Sequence, residues 1–320
     1  ALIDAYGVLE LTSPQEGELV QGASFAPETQ RALTLGEGLT LFDLRDGSRR
    51  AQVPLPAPVR LGQISPGGTE ALIAHGRQLA RYPVLLGARA RPQVIGAFER
   101  EIDALYAGSE RCLAAAGTRA QLFDRVGRLE RELECGSEIA AVGLWSSEAR
   151  PLLATRDGHL HLFDEAGVSS GAPLSVGLDP VERLSCGARL AALAGADQIV
   201  LVDLEARAVV TRLDLSGSGE RISALSLAAD ALLVASEGGW VWRFGLADEA
   251  PTGQLPRVAA RRAWGDLRGR HASGVAGVCQ TERFLVSAGQ LGRLHAWDPA
   301  SGQARFSLDA GGQVYDLLPL

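Results

Sequence analysis

A segment of fixed character returns about every forty residues, and that rhythm limits the fold more than any other property of the chain. The copies are "GEGLTLFD" (36–43), "GRQLARYP" (76–83), "GTRAQLFD" (117–124), "DGHLHLFD" (157–164), "ADQIVLVD" (196–203), "EGGWVWRF" (237–244) and "LGRLHAWD" (291–298). Each is a turn followed by a strand of alternating apolar residues, ending on an aromatic or apolar residue and usually Asp. Their end points are separated by 40, 41, 40, 39, 41 and 54 residues. Five of these intervals agree within two residues, which unrelated turns do not do.

A second strand precedes each copy, as in "RALTLG", "RCLAAAG" and "RFLVSAG". A third lies before that, as in "EIAAVGLW" (138–145), and a fourth follows the Asp, as in "GRLERELE" (127–134). Four short strands in about forty residues form one blade of a propeller. A lone sheet with two apolar faces shields neither of them; blades stacked in a circle cover each other. The expected fold class is therefore all-β: a β-propeller of four-stranded antiparallel blades, one domain over residues 1–320. The count of complete cores favours seven blades. Eight is the alternative, with the last blade shared between the termini, because "LIDAYGVLEL" (2–11) and "QVYDLLPL" (313–320) read as blade fragments.

The last copy is similar to a WD40 repeat, and the resemblance spreads over essentially the whole chain. It carries His271, Ser287 in its second strand, and Trp297-Asp298. The resemblance implies a structural role for His271, Ser287, Trp297 and Asp298, through a buried hydrogen-bond network. The Asp of the tight turn is replaced by Gln290-Leu291, and Phe42, Phe123 and Phe163 stand in the Trp position of other copies.

Composition narrows the function. The chain has no unbroken apolar run long enough for a membrane-spanning helix. The net charge of −7 argues against a general nucleic-acid binder. All 31 basic residues are arginine and methionine is absent, so the start is expected to be processed or trimmed; a cytoplasmic or periplasmic location fits either way. The four cysteines (Cys112, Cys135, Cys186, Cys279) form no C-x-x-C pair. The sequence contains no phosphate loop, nucleophile elbow or haem motif. The His159/His161 pair lacks an assignable third ligand. No catalytic, cofactor or metal residue is expected.

The long interval contains an Arg-rich insertion, residues 245–273. Within 257–270 five arginines face one aspartate, a local charge of +4, so the rest of the chain sums to −11. Placed on the repeat, its latter half joins one blade's outer strand to the next blade's inner strand. The other such connections are acidic, with Arg100 the main exception: Glu16, Glu18, Glu99, Glu101, Glu134, Glu138, Asp179 and Glu220. Arginine beside tryptophan is enriched in interface hot spots, so Arg261, Arg262, Trp264, Arg268 and Arg270 are the expected partner contacts. The function expected is a non-catalytic docking scaffold or structural subunit that binds other protein subunits. The alternatives are a propeller enzyme or cofactor-binding protein with a site at the central channel, and an exported envelope assembly factor.

Overall fold

A computed structural model describes residues 2–3, 9–12, 22–26, 29–36, 38–43, 48–56, 59, 61–145, 150–246, 258–264, 274–281, 284–289, 293–298, 304–309 and 317–318. Seven four-stranded antiparallel sheets stand in a ring. Their inner strands are Gly22–Ala26, Leu61–Ile64, Ala104–Ala107, Ile139–Trp145, Arg183–Cys186, Ile222–Leu227 and Val275–Gln280. Each inner strand contacts the next, and the seventh touches the first. The sheets are numbered here as blades 1 to 7 in chain order.

The core lies between blades. Leu33, Leu35, Leu41 and Val53 of blade 1 pack on Ile64, Ile73 and Ala80 of blade 2. Leu113, Leu122 and Leu133 of blade 3 meet Val142, Leu144 and Leu153 of blade 4. This arrangement explains why the second and third strands are apolar on both sides: Arg111–Ala116 and Arg150–Thr155 are buried from their second residue onward. Each fully buried aliphatic side chain contributes about 1.5–3 kcal/mol.

The aspartate that closes the repeat caps a turn. Asp124 Oδ1 accepts the Val126 and Arg128 amides, Asp164 Oδ1 accepts Val168, and Asp203 Oδ1 accepts Glu205 and Ala206. A short carboxylate reaches amides two to four residues on, which is why Asp recurs at this position. A bulge follows on the outer strands of blades 1, 3, 5, 6 and 7, opposite the aromatic position or its neighbour. Blade 2 departs from the pattern. Its third strand, Gln78–Tyr82, is followed by Pro83, and a 3-10 segment, Val84–Arg89, replaces the capped turn.

Neighbouring blades are also tied through their backbones. The residue entering each of blades 2 to 6 donates its amide to a carbonyl in the turn between the second and third strands of the preceding blade. The pairs are Val59 to Gly36, Ile102 to Gly76, Ile139 to Gly117, Val181 to Arg156 and Ile222 to Ala196. All five donors are buried. At Gly158 the approach is so close that an added Cβ would lie 2.1 Å from the Leu178 carbonyl, and φ is +82°. Only glycine meets both demands.

The terminal fragments make no eighth blade. Leu9–Thr12 runs parallel to the outer strand of blade 7, Ala304–Asp309, and Leu2–Ile3 pairs antiparallel with Leu9–Thr12. Leu317–Leu318 instead lies between the inner strands of blades 7 and 1, parallel to both. The two ends of the chain thus go to opposite edges of blade 7, and the ring closes at seven.

Candidate functional site

Strand direction alternates within each blade, so two kinds of segment emerge at the same end of the ring. These are the blade-to-blade connections and the turns between second and third strands. Among the described residues, this connection face carries most of the ion pairs in which both partners are exposed. Glu138, at the entry to blade 4, meets Arg100 of the preceding connection at 3.4 Å and Arg156 of its own blade's turn at 3.6 Å. Arg221, at the entry to blade 6, meets Glu182 at 2.7 Å and Glu237 at 3.4 Å. The two clusters share one geometry with the charges exchanged. A third joins Arg119 to Glu99 and Glu134.

The acidic connections read from the sequence therefore meet arginines brought in by the turns. Counting the connections alone missed Arg119 and Arg156, because only the alternation of strand direction puts both segments at one end. Glu220 accepts the Gly238 amide at 2.9 Å. Asp157 accepts the Ser137 and Thr155 hydroxyls, both at 2.6 Å, and His159 lies 3.3 Å away. The Ser137 and Thr155 hydrogen bonds hold the Asp157 carboxyl at about 2. Burial, and then the neighbouring His159, lower His161. No group of three or more His, Cys, Asp or Glu residues among the described residues could hold a metal ion.

Of the expected contacts, Arg261, Arg262 and Trp264 lie in the outer strand of blade 6, Val258–Trp264. Ala260 pairs with Phe244 and Ala263 with Trp242, so Arg261 and Arg262 stand at a bulge opposite Arg243. The stretch 258–264 is thus part of the blade itself. Arg268, Arg270 and His271 lie outside the described residues, as do Glu16 and Glu18. Within blade 7, buried Trp297 donates from Nε1 to Ser287 Oγ at 2.7 Å, and Asp298 follows directly.

The ring axis holds a second site. Each of the inner strands of blades 2 to 6 ends its sheet, so their open backbone edges face the centre. Polar side chains stitch several of these edges to the neighbouring blade. Ser24 Oγ accepts the Ile64 amide at 3.1 Å, and Ser185 Oγ accepts Leu227 at 2.9 Å. Gln63 donates to the Leu105 carbonyl at 3.0 Å and accepts the Ala107 amide at 2.6 Å.

Inside this ring is a cavity of about 190 Å³, whose polar lining includes Gln63, Asp103, Tyr106, Glu182, Arg183 and Cys186. Burial, with the Cys186 sulfur adding, pushes the Tyr106 hydroxyl up to about 12, and burial raises Cys186 to about 12 as well. Both are neutral at ordinary pH. Gly143 leaves room for Cys186, since an added Cβ would lie 2.5 Å from its Sγ. Sequence reading kept a site at the central channel only as an alternative, because the inner strands are mostly Ala, Gly, Ser, Val and Leu. The few polar exceptions occupy different blades and converge only in the ring.

A wider groove of about 780 Å³ opens over blade 2, lined in part by His75, Tyr82, Val94, Glu101 and Ile102. His75 Nε2 and the Tyr82 hydroxyl share a hydrogen bond of 2.9 Å. Burial lowers the imidazole and raises the phenol.

No family model and no curated protein matches the chain. Among solved structures it is similar to the computationally designed Ika8 protein. The match has a TM-score of 0.68 and 16% identity, covering 97% of this chain and 93% of that one. At that identity the likeness shows the fold alone. The same comparison reaches 1764 solved chains, and so widely shared an architecture selects no function.

Proposed function

We propose that this chain is a non-catalytic, WD40-like docking scaffold or structural subunit, and that its connection face receives another polypeptide. The observation that carries this reading is the set of ion pairs on that face, formed both within and between blades. Glu138 between Arg100 and Arg156, and Arg221 between Glu182 and Glu237, hold long charged side chains in place on a rigid ring. Such pairs contribute little to stability. Their effect on recognition is larger, because charges fixed in advance steer encounter and set register.

The Trp297–Ser287 hydrogen bond supports the WD40-like reading of blade 7. The Arg-rich strand of blade 6 supplies the opposite charge, with Arg261, Arg262, Trp264, Arg268 and Arg270 as the proposed contacts. Affinity purification of the native chain, followed by mass spectrometry, tests the proposal. A stoichiometric protein partner is expected. It should be lost on Arg261→Glu with Arg262→Glu and weakened at high salt. Retention of every co-purifying partner in that variant removes those residues from the interface. A wild-type chain that carries no partner removes the docking reading.

A further inference from the structure

We infer that the cavity on the ring axis is a binding site for a small monocarboxylate with an apolar body. Its occupation requires no docked polypeptide.

The argument starts from Arg183, the first residue of the inner strand of blade 5. Its Nε is buried without a hydrogen-bond partner, and no other atom of its guanidinium bonds to a described residue. A guanidinium nitrogen withdrawn from water normally has an anion or a carbonyl beside it; the Arg183 side chain as a whole is half-buried, so its outer nitrogens are open to a ligand that enters the cavity. The two carboxylates that share the cavity are engaged elsewhere. Glu182 holds Arg221 at 2.7 Å, and Asp103 accepts the Gly117 amide at 3.1 Å. The cavity therefore presents an unmatched cation.

The remaining lining defines the ligand. The Tyr106 hydroxyl bonds to no described residue and keeps its proton, so it adds a neutral donor. Gln63 has its amide orientation fixed by the backbone, spending one Nε2 hydrogen and one Oε1 lone pair there. Leu61, Leu105, Val142, Leu184 and Leu225 contribute apolar surface. A guanidinium fork matches a carboxylate bidentately. Asp103 and Glu182 in the same lining disfavour a second negative charge, which argues for a monoanion over phosphate or a dicarboxylate. A dry cavity of about 150 Å³ holds a benzene ring, so 190 Å³ suits a body of roughly six to ten non-hydrogen atoms.

The test is calorimetric titration of the full chain with sodium butyrate and sodium benzoate. Butyramide and inorganic phosphate serve as comparison probes. One of the carboxylates is expected to bind with a millimolar or tighter constant, at least about tenfold better than butyramide or phosphate. Arg183→Gln should weaken that carboxylate at least about tenfold, Arg183→Lys less, and Tyr106→Phe by roughly threefold to tenfold. Circular dichroism and thermal melting confirm that each variant is folded, and Arg183→Lys keeps the test open if Arg183→Gln is not. Wild-type binding of neither carboxylate overturns the inference. So does equal binding by Arg183→Lys, or a preference for phosphate. Loss of a protein partner in the purification experiment leaves this result unaffected, so the two proposals fail separately.

Discussion

The two ends of the ring handle charge in opposite ways. At the end away from the connections, the recurrent aspartates are drawn into turns. Asp203 is fully buried, accepts two backbone amides and holds Arg189 at 2.7 Å; Asp43 is almost as buried and holds Arg50 at 2.9 Å. On the connection face charged groups pair across blades while remaining exposed, as with Glu138 and Arg100, each more than half open to solvent. Carboxylates at the first end hold the fold together. At the second end the backbone bonds from Ile139 to Gly117 and from Ile222 to Ala196 do that work, and the exposed side chains there are not needed for it.

The contrast is sharpest at Asp203. Replacing it by Ala leaves Arg189 and two amides without their acceptor and should cost about 2–3 kcal/mol by urea unfolding. Burial pushes its carboxyl up, but Arg189 and the Ala206 and Glu205 amides outweigh burial and leave it lowered. The folded value therefore lies below the unfolded one. The stabilisation is complete above about pH 4 and is lost as pH falls through the lower folded value. Wild type and Asp203→Asn should accordingly converge in acid. Equal stability of Asp203→Ala and wild type at neutral pH would erase the distinction between the ends.

The wall of the channel, between the two ends, is expected to be intermediate. Gly143→Ala drives a methyl against Cys186 and should cost about 1–3 kcal/mol. Cys186→Ala in the same chain should recover most of that loss, because the two atoms contend for one space. A cost that persists in the double variant would place the strain elsewhere.

The connection face should respond least. Glu138→Ala removes two ion pairs from an exposed site and is expected to change stability by less than about 1 kcal/mol. Its effect should appear in partner association and the salt dependence of that association. A large loss of stability would instead make Glu138 a fold residue like Asp203. Side-chain NMR sharpens the same point without mutation of the fold. Asp157 should titrate at about 2, and Ser137→Ala should move it toward the ordinary carboxylate value.

Much of this was legible in the chain. The spacing of "LFD" in blades 1, 3 and 4 located third strands that end at Asp43, Asp124 and at Leu162 just before Asp164. The glycines marked turns, and Phe123 and Trp297 occupy buried equivalents of one position. The candidate sites were far less visible. Arg119 and Arg156 gave no local sign of meeting Glu134 and Glu138, and Val258–Trp264 read as part of a linking insertion rather than an outer strand. Arg183 and Tyr106 lie 77 residues apart and share no motif.

Periodic burial is a local property, written by which residues alternate and where glycine and aspartate interrupt them. The sequence by itself therefore determined four-stranded blades, their number of cores and the turns between them. Which terminus pairs with which edge, which charges meet on the connection face, and what converges on the axis depend on closing the ring. Closure brings residues from five blades within reach of one cavity, and that proximity is set by sheet packing across the whole chain, which only the tertiary structure decides.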